Sequence, residues 1–294
     1  TLQRAAQTLL SLEGLKFLTM STQDVSFFQS MRAYFWPWQH ADLIRQMAAR
    51  DVNARFKQSW LGLAWLVLTP LLMLCVYTLV FREVFQARWG APDEGVLAYA
   101  LRLYAGLAVF NFFAEYVGRA PSFVVEQPHL VKKVVFPLEV VAWVNLASVL
   151  VSLCVAAVVL LCLRWAGLGS IPLSACMLPV VWLPLVPLCL GLGWALSALG
   201  TYVRDVGQVL GMIMSALVFV SPVFFPVEVL PKVAQEWMWL NPLAPIMTQT
   251  RTVLLLGQWP LWDVWLYSLL TGLCMALVGA VLFKRLRSGF ADVL

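Results

Sequence analysis

Arg50, Arg55 and Lys57 place three cations just ahead of a run without charge from Leu61 to Phe81. Guanidinium and ammonium groups at the head of an apolar stretch suit one kind of chemistry. They grip phosphate oxygens through charge-assisted hydrogen bonds, and arginine can do so bidentately. Anionic lipid head groups satisfy the same groups, so phosphate recognition and surface anchoring both fit. Bond-making chemistry has little to work with. The two histidines, His40 and His129, belong to neither a His-Glu-x-x-His nor a Gly-x-Ser-x-Gly arrangement. The six cysteines all fall inside apolar runs without a Cys-x-x-Cys pair, and are read as small core residues. No catalytic residue and no metal centre is expected, and the chain is not an enzyme. It lacks a phosphate-cradling Gly-x-x-x-x-Gly-Lys-[Ser/Thr] loop, so it binds no ATP and carries no cofactor of its own.

The elements that position these cations are apolar helices. Between Arg164 and Glu228 the only charges are the adjacent Arg204 and Asp205. About 20 apolar residues cross a bilayer core as helix, so this stretch holds two crossings joined by a short turn at Tyr202, Arg204 and Asp205. Hydrophobic residues make up 62% and charged residues 12%, far from the balance of a soluble domain. Uninterrupted apolar runs favour helices over barrel strands, which alternate. The expected fold is an all-α integral membrane protein with six transmembrane helices: Leu61–Phe81, Ala98–Gly118, Val140–Leu163, Cys176–Gly200, Val206–Val227 and Val264–Phe283. The segment Glu236–Arg251 is too short to cross and contains Pro242 and Pro245. It reads as short re-entrant helices between spans five and six.

Residues 41–58 form an amphipathic interface helix. Ile44, Ala48, Val52 and Phe56 recur at four-residue spacing, with Leu43 and Met47 beside them; Arg45, Arg50, Asn53 and Lys57 lie toward the other side. Asp51 and Arg55 are spaced to pair within the helix. Residues 1–40 form a weakly patterned N-terminal extension with Met20 as an alternative start, and show no signal-peptide pattern. Residues 59–294 make up the six-span domain. With the N-terminus cytoplasmic, most lysines and arginines fall on the inner side, and both termini are then cytoplasmic. Trp60, Trp237, Trp239, Trp259, Trp262 and Trp265 suit an interfacial belt.

The centres of the last four spans hold no ionisable group, which leaves little for a proton or ion relay. Active transport would therefore need a separate ATPase and a cytoplasmic element to dock it. The compact loop between the second and third spans, with Gln127, Pro128, His129, Leu130, Val131, Lys132 and Lys133, suits that purpose; a simple positive-inside anchor is the alternative.

Several segments carry a resemblance. Arg50-Asp51, then Arg55-Phe56-Lys57-Gln58-Ser59-Trp60-Leu61-Gly62, Trp65 and Pro70 look like the entry to the first span in permeases of type-two ABC polysaccharide exporters. Tyr77-Thr78-Leu79-Val80-Phe81 and Tyr202-Val203-Arg204-Asp205-Val206 also match. So do Ser221-Pro222-Val223-Phe224-Phe225-Pro226, Leu230-Pro231 and Asn241-Pro242, which resemble the family's outer gate. The resemblance covers roughly residues 41–290 and is nearest to O-antigen and teichoic-acid exporters, with capsule exporters less close. Phe56 stands where tyrosine is common.

This resemblance implies a homodimeric permease of the cytoplasmic (inner) membrane, paired with two copies of a nucleotide-binding ATPase that holds ATP and Mg. The cargo would be a lipid-linked polysaccharide, and nucleic acid is no partner. The loop at Gln127–Lys133 would be the coupling helix, and Arg50, Arg55 and Lys57 would meet the cargo's diphosphate or ordinary anionic membrane lipids. Trp65, Tyr77, Phe81, Phe112, Phe113 and Tyr116, with Phe110, would either offer flat faces to a passing glycan or pack against neighbouring helices. Pro222, Phe224, Phe225, Pro226, Pro231, Asn241 and Pro242 would build the outer gate, or merely kink helices. Arg204 and Asp205 would cap their turn or touch the ATPase or second permease. An exporter of drugs or lipids with the same architecture is the alternative, and a secondary carrier working without an ATPase is a more distant one.

Overall fold

The structure, a computed structural model, describes residues 34–57, 59–84, 95–127 and 137–293. The chain divides into two units, Thr1–Ala41 and Asp42–Leu294. Of the first, the described part holds helical residues 34–35 and a 3-10 turn, Pro37–His40. Among the described residues every element is helical.

The interface helix α1 is Ala41–Phe56. Its inward side carries Leu43, Ile44, Met47, Ala48 and Val52, while Arg45, Arg50, Asn53 and Lys57 are exposed, as the four-residue spacing predicts. The first span is α2, Trp65–Thr78, entered through a 3-10 turn at Gly62–Ala64 and left through a π-turn at Leu79–Val84. Then come α3, Val96–Arg119, and the short α4, Ser122–Val125. The third span, α5, is Val140–Leu168, closed by Gly169 in the left-handed conformation at φ 72°. There glycine ends the helix without a Cβ clash. The fourth span is built in pieces: a 3-10 turn Leu173–Met177, then α6 (Leu178–Trp182), then α7 (Leu185–Tyr202). Pro184 stands at the start of α7, where its missing N–H costs least.

Five stretches are long and apolar enough to cross a membrane: Gly62–Arg82, Val96–Arg119, Val140–Leu168, Leu173–Tyr202 and Trp262–Gly289. Where the sequence predicts a fifth span over Val206–Val227, the helix α8 runs from Val206 to Val220. Fifteen residues rise about 22 Å, short of the roughly 30 Å hydrocarbon core. The chain leaves the helix at Ser221, whose backbone is extended, ahead of Pro222. The residue before a proline is pushed out of the helical region, and that steric rule ends α8. Between α8 and the last span α11 (Trp262–Leu286) lie two short helices, α9 (Lys232–Met238) and α10 (Leu243–Arg251). A terminal turn, α12, is Phe290–Val293.

The core sits around α3, which is buried at almost every position from Tyr99 to Val117. The tightest pairing joins α7 to α11. A Cβ added at Gly279 would collide with the backbone carbonyl of Gly191, and one added at Gly191 with that of Met275. Glycine there lets two backbones touch, which is how helices associate in lipid. One correction concerns the cysteines: only Cys189 is buried, and the other five lie exposed on helix surfaces. In a lipid-facing helix an exposed thiol is as acceptable as a core one, so apolar surroundings in sequence do not distinguish the two.

Candidate functional site

Two constellations emerge, one at each end of the bundle. The first links α1 to the spans. Arg55 donates to Asp51 at 2.8 Å, to Ser148 on α5 at 3.0 Å, and to Glu115 on α3. Arg119 donates to both oxygens of Asp51, the shorter contact at 3.1 Å, and the Ser148 hydroxyl also donates to Asp51. Two guanidinium groups thus face two carboxylates, and the cluster carries no net charge. Each charged side chain is about a quarter to a third exposed. The i,i+4 pair Asp51–Arg55 was legible from spacing, whereas the partners on α3 and α5 required tertiary structure. At Arg55 a phosphate would meet a guanidinium already bonded to carboxylates, while Arg50 and Lys57 are exposed.

The second constellation holds the broken backbone after α8. Arg251, at the end of α10, is buried. Its Nη1 donates to the Pro222 carbonyl at 2.6 Å, its Nη2 to the Val223 carbonyl at 2.9 Å, and its Nε to the Arg102 carbonyl at 3.0 Å. Gly106 makes room: a Cβ there would lie 2.5 Å from Arg251 Nη2. Asn241 adds a second tie. Its Nδ2 donates to Ser221 Oγ at 2.9 Å, and its Oδ1 accepts from the Leu243 backbone N–H at 3.0 Å. Non-helical backbone at membrane depth survives only where protein satisfies it, and these two side chains do so. Arg164 plays a similar part on α5, donating from Nε to the Leu254 carbonyl at 2.8 Å.

The expected gate residues are largely brought together. Pro222 is buried, Phe224 is buried, Phe225 and Pro226 are half-buried, and Asn241 binds the same segment. Pro231 stands apart, exposed at the head of α9, while Pro242 starts α10. Aromatics assigned from sequence to different roles meet here. Phe81 stacks on Phe224 with centroids 4.3 Å apart, Tyr77 meets Phe224 edge-on at 5.4 Å, and Phe219 joins at 5.6 Å.

The other expected channel aromatics divide. Trp65 is partly exposed. Phe112 is buried at the wall of a cavity beside α2, and Phe113 is buried. Tyr116 is fully buried, donating to the Ala142 carbonyl at 3.1 Å and meeting Phe123 edge-on at 5.3 Å. Phe110 is buried too. Phe110, Phe113 and Tyr116 are thus packed within the chain. At the turn before α8, Arg204 and Asp205 are exposed, and the Asp205 side chain makes no cap. The two neither pair with nor cap anything among the described residues. Tyr202 instead donates to the Leu286 carbonyl at 2.8 Å, tying α7 to the end of α11. Of the expected coupling loop only Gln127 is described; Pro128, His129, Leu130, Val131, Lys132 and Lys133 lie outside the described residues. Among the described residues no group of side chains is arranged to hold a metal ion.

Sequence reasoning missed Arg251 as more than a loop charge. The one signal was its isolation, a single arginine after a long uncharged segment and directly between Thr250 and Thr252.

A bundle of apolar helices, five of its stretches long enough to cross a bilayer, fits a multi-pass membrane protein. Residues 42–255 match the family described as ABC-2 type transporter, and the chain belongs to that family. It is similar to the O-antigen export system permease protein RfbA of Klebsiella pneumoniae, 23% identical over 257 residues, covering 86% of this chain and 95% of the relative. The RfbA permease of Myxococcus xanthus is 23% identical over 218 residues, covering 74% of this chain and 81% of its own. The polysialic acid transport protein KpsM of Escherichia coli is 22% identical over 217 residues, covering 73% and 81%.

Proposed function

We propose that the chain is the transmembrane subunit of an ATP-driven exporter that carries a lipid-linked polysaccharide of the O-antigen, teichoic-acid or capsule kind across the cytoplasmic membrane. The similarity to O-antigen export permeases, extending over nearly the whole length of those relatives, carries this reading. Two copies of the permease pair with two copies of an ATPase, which binds ATP and Mg and docks at the loop containing Gln127–Lys133. The helix α8 with the clamped segment Ser221–Pro226 completes a sixth crossing, α9 and α10 re-enter the membrane from outside, and both termini are cytoplasmic.

Within this reading the exposed Arg50 and Lys57 meet the cargo's phosphates, and Arg55 positions α1 through its carboxylate partners. The aromatic cluster of Tyr77, Phe81, Phe219 and Phe224 closes the outer end. Stacked rings suit a seal around a moving glycan, since they offer apolar contact without a fixed set of hydrogen bonds. The experiment is deletion of the gene in its host, followed by protease-free fractionation of lipid-linked glycans. Undecorated cell surface with glycolipid retained on the cytoplasmic leaflet is expected. A normal surface polymer, with an altered phospholipid or drug distribution instead, would assign the chain to a different cargo.

A further inference from the structure

Between α9, α10 and the start of α11 lies a cavity of about 260 Å³. That is below the roughly 300–1,000 Å³ of drug-sized sites and suits one small head group. Gln249 of α10, only 4% exposed, stands in its wall. Its Nε2 donates to the Leu261 carbonyl at 2.8 Å, and its buried Oε1 has no donor among the described residues. Turning the amide over would set two acceptors face to face, so the oxygen stays where it is. A buried acceptor left without a partner is costly and asks for a donor.

The other polar groups of the lining share this imbalance. Gln235 Nε2 donates to the Leu230 carbonyl at 2.8 Å, the Thr248 hydroxyl to the Ala244 carbonyl at 2.9 Å, and the Thr252 hydroxyl to the Thr248 carbonyl at 3.1 Å. Each gives its hydrogen to the backbone and keeps its side-chain oxygen unused among the described residues. Glu228, exposed where the cavity opens, adds a carboxylate with no hydrogen bond or ion pair among the described residues. It is the one charged side chain in the lining. Arg251 lies two positions beyond Gln249, about 200° around α10, and its guanidinium turns to the clamp instead. The cavity thus has engaged donors, idle acceptors and a negative mouth. A phosphate or carboxylate would find only acceptors there. An ammonium group brings three donors, no acceptor and a positive charge, and the Trp239 ring in the lining suits a cation too.

We propose that this cavity binds the primary ammonium of an aminophospholipid head group, a resident membrane lipid rather than cargo. The ammonium donates to Gln249 Oε1 and to the Glu228 carboxylate. The source is a lipid because of where the cavity opens. Trp237, Trp239 and Trp262, on α9, just after it and at the start of α11, are all exposed, and exposed tryptophans sit at the level of lipid head groups. Leu261, in the lining and exposed, leads from the cavity to the apolar surface of α11, where the acyl chains can lie. The site belongs to a single chain and does not depend on which cargo is exported.

The test uses the full-length permease in nanodiscs of phosphatidylglycerol. Two photoactivatable phospholipid probes share the same diazirine-bearing acyl chains; one has an ethanolamine head and the other a choline head. Choline keeps the positive charge and loses every N–H donor. After illumination, labelled peptides are mapped by mass spectrometry. The ethanolamine probe should label the stretches 227–239 and 261–264 at least about tenfold over the choline probe, the affinity worth of one charge-assisted hydrogen bond. Gln249→Met should remove that excess. It deletes the idle acceptor and spares the fold, because the Leu261 carbonyl keeps the Trp265 N–H. Glu228→Gln, at an exposed position, should lower labelling there by both probes, since both are cations. Labelling of the stretch 65–73 should stay constant throughout. Equal labelling by the two probes, or an ethanolamine excess that survives Gln249→Met, would overturn the proposal. Complete displacement of the probe by equimolar free ethanolamine would assign the cavity to a soluble amine and overturn the lipid as its source.

Discussion

Arg251→Ala lowers the stability of the purified chain by at least about 2 kcal/mol, because each buried carbonyl left without its donor costs about 1–3 kcal/mol. Two carbonyls of non-helical backbone are at stake, those of Pro222 and Val223, in a segment where lipid offers no donor. The Arg102 carbonyl lies inside α3 and keeps its helical partner. Arg251→Lys should retain part of the loss, since an ammonium group cannot spread donors across three acceptors as a planar guanidinium does. Thermal unfolding in detergent gives the magnitude, and hydrogen exchange at 221–225 gives the location. Protection should be lost there first, with α7 and α11 unchanged. Arg204→Ala is the matched control: its side chain is exposed, so its effect should stay within about 0.5 kcal/mol. Equal stability of the Arg251→Ala and Arg204→Ala proteins would remove the clamp from this account.

The second large effect lies at the α7–α11 contact. Gly279→Ala puts a methyl group into the Gly191 backbone. A backbone cannot rotate aside as a side-chain tip can, so the two helices must separate along their length. A cost of about 1–3 kcal/mol is expected for overpacking of this kind, and Gly279→Leu should fail to fold. Gly211→Ala on α8 is the contrast. Nothing lies within 4 Å of a Cβ at that position, and alanine favours helix over glycine by up to about 1 kcal/mol. The first substitution should therefore lower the unfolding temperature and the second hold or raise it. Two equal shifts would mean that α7 and α11 do not touch as described.

What the sequence made legible follows from where each signal is stored. The inward side of α1 could be read because one helix face is apolar and the other charged. The existence of the long spans could be read because hydropathy is a sum over residues. The end of α8 at Val220 could not, because Val223, Phe224, Phe225 and Val227 keep the composition apolar after the helix has stopped. Pro222 was the available sign, and hydropathy outweighed it. The fate of the α3 aromatics was also hidden. A helix buried almost all round has no polar face to fix its rotation, so Phe112 and Phe113 look alike in sequence, yet Phe112 lines the cavity beside α2 and Phe113 does not. Arg251 and Glu115 were missed for another reason. Each gains its role from segments far away in the chain, and a lone charge carries no periodicity.

The claim on which the account rests is that the helices supply a path and a separate ATPase supplies the work. The most direct measurement reconstitutes the permease into liposomes, alone and with an ABC-type ATPase that co-purifies with it from its host, and follows transfer of a fluorescent lipid-linked glycan to the protected leaflet. Transfer should require both proteins and ATP, and stop when the ATPase is omitted. Uphill transfer by the permease alone, driven by a proton or sodium gradient, would contradict it.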